Sequence, residues 1–473
     1  MTRPVRNLLW IVGSLALLPV IVFLVLTTSA DHTPILGSSI AEMTARELNK
    51  RAEPFLKSHQ DSGPLLAGWS RFNITPPLGA PTYGYSARYG KGITAVADSA
   101  YVRALALSVA GGSTVVFLSA DICTWVPSVA DSITSVVAKA LPGTFLYFGA
   151  THTHNGPGGY SNGPVDSWIM GGDRNDLRNV LVSNSARAIE KAVSSLAPSR
   201  QRSFETDFPD LIFNRTGKPE AVDDDVLLLE TRKETGETCA LVVFGAHATT
   251  VTRDSLVCSA DYPGFLTRTL TDSGYAEVVF FAGATGQSGP SHDGKTISGG
   301  TMDRAALYGQ TLATRLLSLV RHSEIPFDSI PVLRAFSGPV YLPEYQYQFL
   351  SRVLEHPVAG CLFGDGSPEA SVRCVQLGKN LFVGHSFEFS GVLSEVIDRE
   401  INGPGRKIWI TGFNGRNYLY VVPDTYYSER AYESSMSLFG PGLGEYLKRI
   451  TIQLAVMMFS REESSSKPFD LSQ

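Results

Sequence analysis

Two histidines two positions apart, His152 and His154, follow an apolar run and open a glycine-rich turn, Gly149-Ala150-Thr151-His152-Thr153-His154-Asn155-Gly156-Pro157-Gly158-Gly159. Alternate side chains of a strand share a face, so both imidazoles can point into one space beyond the strand's end, where α/β sheets place their sites. The glycines let backbone or substrate approach closely. The alternative is a pair of imidazoles hydrogen-bonded within a loop. His247 repeats the pattern after the apolar run Leu241-Val242-Val243-Phe244, either as a ligand or as a core or loop histidine. Glu388 lies between Phe387 and Phe389, and a carboxylate there needs a cation or a donor, either an arginine or a metal. Two imidazoles and one carboxylate form a common catalytic zinc set with a position left open for water.

The elements that must place these groups alternate along the chain. Val115 to Ile122 and Thr144 to Ala150 are expected as buried strands and Val126 to Leu141 as the helix between them, a βαβ-like unit. Val226 to Glu230, Ala240 to Phe244, Glu277 to Phe281 and Leu381 to Val383 have strand character. Leu177 to Ser195, Met302 to Val320 and Leu443 to Phe459 have helical character. No internal repeat interrupts this order. The expected fold is α/β, a large single domain whose mixed β-sheet is flanked by helices, with a metal site at strand ends.

Lys+Arg number 40 and Asp+Glu 45, and charged residues are only 18% of the chain, which excludes a basic nucleic-acid binder and an acidic disordered tail. Arg3 and Arg6 precede an uncharged run from Leu8 to Leu26, about 28 Å long as a helix and so close to the thickness of a bilayer core. An uncleaved anchor is expected, with everything after Thr27 outside the cytoplasm. The alternative is a signal peptide cleaved near Thr28-Ser29-Ala30, which would give a secreted protein. Residues 31–64 are expected as a polar tether and a surface helix, Ile40 to Leu56. Residues 461–473 are expected as a disordered tail. Of the five cysteines, Cys361 with Cys374 and Cys239 with Cys258 are candidate disulfides, and Cys123 a buried free thiol.

The motifs resemble the neutral (non-lysosomal) ceramidases. Thr151 to Gly159 is similar to that family's THTHSGPGG, Asn214-Arg215-Thr216 to its NRS, and the segment from Phe244 to Thr249 to its V-H-x-T. Phe387-Glu388-Phe389-Ser390 resembles GEFT, and Tyr420, Tyr432-Glu433-Ser434-Ser435 and Leu438-Phe439-Gly440-Pro441 resemble its tyrosine-bearing stretch. The resemblance runs in order from about Gly68 to Leu447. It implies zinc held by His152, His247, Glu388 and Tyr420, with His154 as acid/base and Arg215 near the substrate's polar head or reacting carbonyl. Such a centre activates water and polarises an amide, and a neighbouring imidazole can carry the proton to the leaving amine.

One turn departs from the family. Where it carries GDVSP, this chain has Gly286-Gln287-Ser288-Gly289-Pro290, with Gly289 at the position of the serine. Either the loop shifts by one and Ser288 serves, or that role is absent. The family also continues into a β-sandwich domain, whereas only a helix and a tail are expected after Leu447. The expectation is a ceramidase-like zinc hydrolase domain over 65–460, following an anchor or signal over 1–30. Its expected reaction is ceramide to sphingosine and fatty acid, on a lipid substrate at a membrane surface. The alternatives are a zinc amidase or esterase for another acylated lipid or sugar, and a non-catalytic membrane-anchored lipid-binding protein.

Overall fold

The computed structural model describes residues 21–472 except 58–61, 111, 162, 293–294, 350–351, 364–368, 402, 404, 430 and 461–467. Its centre is an eight-stranded mixed sheet. The strands run in the spatial order Glu277–Ala282, Thr238–Phe244, Asp225–Lys233, Ala197–Asp207, Leu65–Asn73, Tyr101–Val109, Val115–Ala120, Phe145–Ala150. The pair at each end is parallel and the pairs between are antiparallel. Val115–Ala120 and Thr238–Phe244 are apolar or small along nearly their whole length and wholly buried, as strands covered on both faces must be. The expected βαβ unit is present, with Pro127–Ala140 as its helix and Val115 in register with Phe145. That helix starts on Pro127, where the missing N–H costs no hydrogen bond, and buries Val129, Ala130, Ile133 and Val137.

The sheet is folded on itself. Leu65–Asn73 and Ala197–Asp207 pair only at Leu66 with Pro198 and Ala67 with Ala197, so the two halves hinge there. The two ends of the sheet then meet: Ser119 Oγ on the next-to-last strand donates to Phe280 O at 2.5 Å, and a Cβ on Gly149 of the last strand would stand 2.0 Å from the Phe281 ring. Only glycine permits that approach.

A second, four-stranded sheet runs in the order Leu333–Tyr341, Glu369–Leu377, Asn380–His385, Lys407–Thr411, with the last pair parallel. Its Phe382 packs edge-on to Phe117 of the large sheet, and Tyr147, Phe281 and Trp409 complete the buried aromatic layer between them. Asn175–Ser194 covers the strands Leu65–Asn73 and Tyr101–Val109, while Ser39–Lys57 lies on Leu333–Tyr341. The fold is thus α/β, with a large mixed sheet flanked by helices, and the loops after several strand ends meet at one place.

Several expectations are corrected. Among the described residues no helix is long and apolar enough to cross a membrane, so the single-pass localisation does not stand. Its basis was the basic flank and the length of the uncharged run. The helical residues 21–26 pass at once into Thr27–Thr28, which pairs with Arg352–Leu354, and Phe23 faces Phe349. Residues 1–20 lie outside the described residues. The helix Ser39–Lys57 buries Ala41, Thr44, Leu48 and Ala52. At the far end Phe469 and Leu471 are buried and Asn49 bonds both backbone groups of Phe469, so residues 468–472 are packed rather than disordered. All five cysteines are free, Cys361 exposed and the others buried, so neither disulfide is present.

Candidate metal centre

His152 leaves the strand Phe145–Ala150 in the left-handed region (φ 59°) and stacks at 4.2 Å on Phe413, itself at φ 61°. Such backbone costs energy for a residue with a side chain and persists only where its surroundings enforce it. The Nδ1 of His152 lies 2.8 Å from Cys123 O, and that of His247 3.4 Å from Thr285 O. A carbonyl can only accept, so each Nδ1 carries the proton and each Nε2 presents a lone pair.

The two Nε2 atoms face each other at 2.9 Å. Glu388 Oε2 stands 3.5 Å from the first and 3.9 Å from the second, buried and without a hydrogen-bond partner. Two lone pairs and an orphaned carboxylate oxygen turned on one point suit a positive charge there. The donor set fits a divalent cation, and the three ligand atoms lie within 4.8 Å of one another.

The electrostatics favour the ligating forms. Burial, then Arg215 and His152, push His247 well below its ordinary pKa. Burial works against the charge of Glu388, but His152, the Tyr420 hydroxyl and Arg215 outweigh it and hold the carboxyl below its usual range. Glu388 is positioned by backbone, donating its N–H to Leu419 O at 2.8 Å and accepting from Val421 N. This bridge sets Tyr420 beside it, with Leu419 at φ 61°.

His154 Nε2 lies 3.4 Å from His152 Nε2, and its ring meets Tyr85 edge-on. Burial, then His152, Arg215 and Arg88, keep His154 neutral, and its Nδ1 is buried without a partner. The loop is held from below by Arg88, whose guanidinium donates to the carbonyls of His154, Arg253 and Ser255 and to Thr82 Oγ1. Gly84, at φ 127°, lies so close that a Cβ would come within 2.6 Å of the His154 ring.

Arg215 is aimed by a turn in which Asn214 Oδ1 accepts from Thr216 N and Oγ1. Its Nε donates to Glu433 Oε1 at 2.6 Å and its Nη2 to the Tyr420 hydroxyl at 3.0 Å. Burial disfavours its charge, but Tyr420, Glu433 and Glu388 more than offset that. Arg215, Thr216, Ala431, Tyr432 and Glu433 line a cavity of about 390 Å³ at this side of the centre.

Of the residues expected from sequence, His152, His154, His247, Glu388, Tyr420 and Arg215 therefore come together. Ser288 does not join them: its hydroxyl donates to Ala284 O at 2.9 Å, within its own turn. A Cβ on Gly289 would meet the Phe213 ring at 2.6 Å and Arg215 Cβ at 3.3 Å, so a serine there would need Phe213 to move. Asp261 is structural, accepting from the backbone of Thr250, Val251 and Tyr262. Glu433, Arg88 and Gly84 were not foreseen. Glu433 lay inside a family-like motif, Arg88 had no signal, and Gly84 only that of a Gly between two tyrosines.

Residues 65–274 match the family model for neutral/alkaline non-lysosomal ceramidase, N-terminal. A neutral ceramidase from Pseudomonas aeruginosa is 25% identical over 176 residues, 33% of this chain and 26% of that protein, so the alignment spans about a quarter of the relative. The crystal structure of neutral ceramidase from Pseudomonas aeruginosa superposes with a TM-score of 0.73 at 18% identity, covering 86% of this chain and 77% of that one. A ceramidase complexed with C2 superposes at 0.72 and 17% identity, covering 85% and 77%. At these identities the superpositions establish the fold. The resemblance read from the motifs holds in family model, sequence and fold.

Proposed function

We propose that this chain, similar to the neutral ceramidases by all three comparisons, is a zinc-dependent amidohydrolase that cleaves ceramide to sphingosine and a fatty acid. The observation that carries the proposal is the convergence of His152 Nε2, His247 Nε2 and the orphaned Glu388 Oε2, with a neutral His154 at 3.4 Å. His152, His247, Glu388 and Tyr420 would hold the metal. Bound zinc would supply an activated water and a polarised amide carbonyl.

The remaining work falls to this chain's own groups. His154 takes the proton of the attacking water and returns it to the amide nitrogen as the C–N bond breaks and the new C–O bond forms. Arg215, held charged by Glu433, faces the charge that develops on the carbonyl oxygen. The exposed ring of Tyr432, edge-on to Tyr420, gives the cavity mouth an apolar wall suited to a lipid. Release of fatty acid from labelled ceramide, with and without a chelator, tests this. Chelator-sensitive release is expected, and protein with one equivalent of zinc that leaves ceramides of several chain lengths intact would overturn it.

A second reading, a zinc amidase or esterase for another acylated lipid or sugar, draws on one feature: Gly289 packs on Phe213 where the family has a serine. Hydrolysis of such a substrate, but not of ceramide, by the same zinc-loaded protein would favour it.

A further inference from the structure

The imidazoles of the centre have a second neighbour that the proposed reaction does not use. Cys123 follows the strand Val115–Ala120, is buried, and places its Sγ 3.6 Å from His152 Nδ1. Cys123, His152 and His154 each offer a ligand atom within 4.8 Å of the others. The His154 Nδ1 is buried and makes no hydrogen bond. Among the described residues, this group and His152, His247 and Glu388 are the two in which three His, Cys, Asp or Glu ligand atoms lie within 4.8 Å of one another, and they share His152.

The two donor sets differ in kind. Two imidazoles and a carboxylate suit borderline ions, whereas a thiol with two imidazoles favours soft ones. We infer that Cys123, His152 and His154 form a second cation position that takes a soft divalent ion such as Cd²⁺ and inhibits by engaging both imidazoles. Binding breaks the Cys123 S–H and His152 Nδ1–H bonds and forms metal–sulfur and metal–nitrogen bonds; the thiol proton goes to solvent, and His152 Nε2, giving up the first centre, takes up a proton in place of the one lost from Nδ1. Hard ions such as Mg²⁺ or Ca²⁺ take oxygen ligands and are not expected at a thiol with two imidazoles. Occupation would also draw His152 Nδ1 away from Cys123 O, the contact that presents its Nε2 to the first centre.

Only the consequence for activity rests on the hydrolase reading. The test titrates Cd²⁺ into the zinc-loaded full chain, wild type, Cys123→Ser and Cys361→Ser. It follows thiolate-to-cadmium charge-transfer absorption in the ultraviolet and ceramide hydrolysis, normalised to each variant without Cd²⁺. Losing one outer-shell partner already costs about 10–100-fold in metal affinity, so losing the thiol is expected to raise the inhibitory Cd²⁺ concentration at least tenfold. Most of the absorption is expected to go in Cys123→Ser and to remain in Cys361→Ser, which removes the exposed thiol. Absorption and inhibition unchanged in Cys123→Ser would overturn the proposal. So would their loss in Cys361→Ser instead. Should Cys123→Ser not fold, anomalous scattering from cadmium-soaked crystals of the unaltered protein decides: density beside Cys123 Sγ supports the site, and density only between His247 and Glu388 refutes it. Absence of ceramide cleavage by every form would count against the hydrolase reading, while absorption and scattering still decide this one.

Discussion

The centre joins two regions built on different principles. Its imidazoles come from loops at the ends of the large sheet, inside residues 65–274, and are fixed by backbone: Cys123 O and Thr285 O set the tautomers, and Phe413 backs one ring. Its carboxylate and phenol come from loops of the second sheet, outside that segment. A backbone bridge sets Glu388 and Tyr420 side by side, and their side chains are then held by a chain of charge running from Glu388 through Tyr420 and Arg215 to Glu433. Geometry on the first side is dictated by carbonyls that cannot reorient, whereas on the second it depends on side chains that hold one another. Substitutions should therefore act differently on the two sides.

The largest effect is expected from His152→Ala. It removes a ligand from the backbone-fixed side, so ceramide hydrolysis should fall below detection and the bound metal should be lost. Wild type should gain thermal stability on adding zinc, as any ligand of the folded state confers it, and His152→Ala should not. Retained stoichiometric zinc in the variant would break the assignment of that ligand. Next in size, His154→Ala should keep the metal and lose about 10²–10⁴-fold in kcat, the usual worth of positioned acid–base catalysis. Metal analysis and kinetics on one preparation separate the two histidines, and equal zinc loss from both would show that the split between them is misassigned.

The charge-fixed side is probed by Glu433→Gln. It keeps the shape but removes the anion that orients Arg215, leaving Tyr420 as the guanidinium's remaining hydrogen-bond partner within the site. A misplacement of about 1 Å at a site can cost about 10²-fold. A fall of that order in kcat, with zinc content unchanged, is expected. If zinc is lost as well, the chain from Glu433 to Glu388 is tighter than drawn and the two regions are not separable.

The same contrast explains what could be read from the sequence. The imidazole side was legible because an apolar strand ending in His-x-His and glycines is a local pattern. The strands Val115–Ala120, Phe145–Ala150 and Thr238–Phe244 lie within a few residues of their expected places. Glu433 was not legible as a partner, since 218 positions separate it from Arg215 and only tertiary packing joins them. The left-handed backbone of His152, Phe413 and Leu419 was hidden because no glycine marks it. The strands Leu333–Tyr341 and Glu369–Leu377 were missed because Arg334, Ser337, Ser371 and Arg373 interrupt their apolar character. The apolar run ending at Leu26 misled in the opposite sense: its described end, residues 21–26, passes into the strand pairing of Thr27–Thr28 with Val353–Leu354, a long-range contact that hydropathy does not signal.

The smallest effect, and one on stability rather than turnover, is expected where the two regions are stitched together. Asp223 precedes the large-sheet strand Asp225–Lys233, donates its N–H to Gly391 O and accepts from Ser394 Oγ at 2.5 Å on the helix that follows Glu388. Burial, then Asp225, push its carboxyl up to about 7, with Asp398 adding to this and Ser394 and Lys407 opposing it. The folded state therefore binds a proton that the unfolded chain gives up near pH 4. This contribution to stability is complete below that pH and is lost as pH rises through about 7. Asp223→Asn can still accept from Ser394 but cannot ionise. Between pH 5 and pH 8 urea unfolding should show the variant gaining on wild type by on the order of a few kcal/mol, since each tenfold difference in proton affinity between folded and unfolded chain is worth about 1.4 kcal/mol. A difference that does not change with pH would mean that Asp223 is ionised in the fold already at pH 5, and that Lys407 rather than a shared proton secures the seam between the regions.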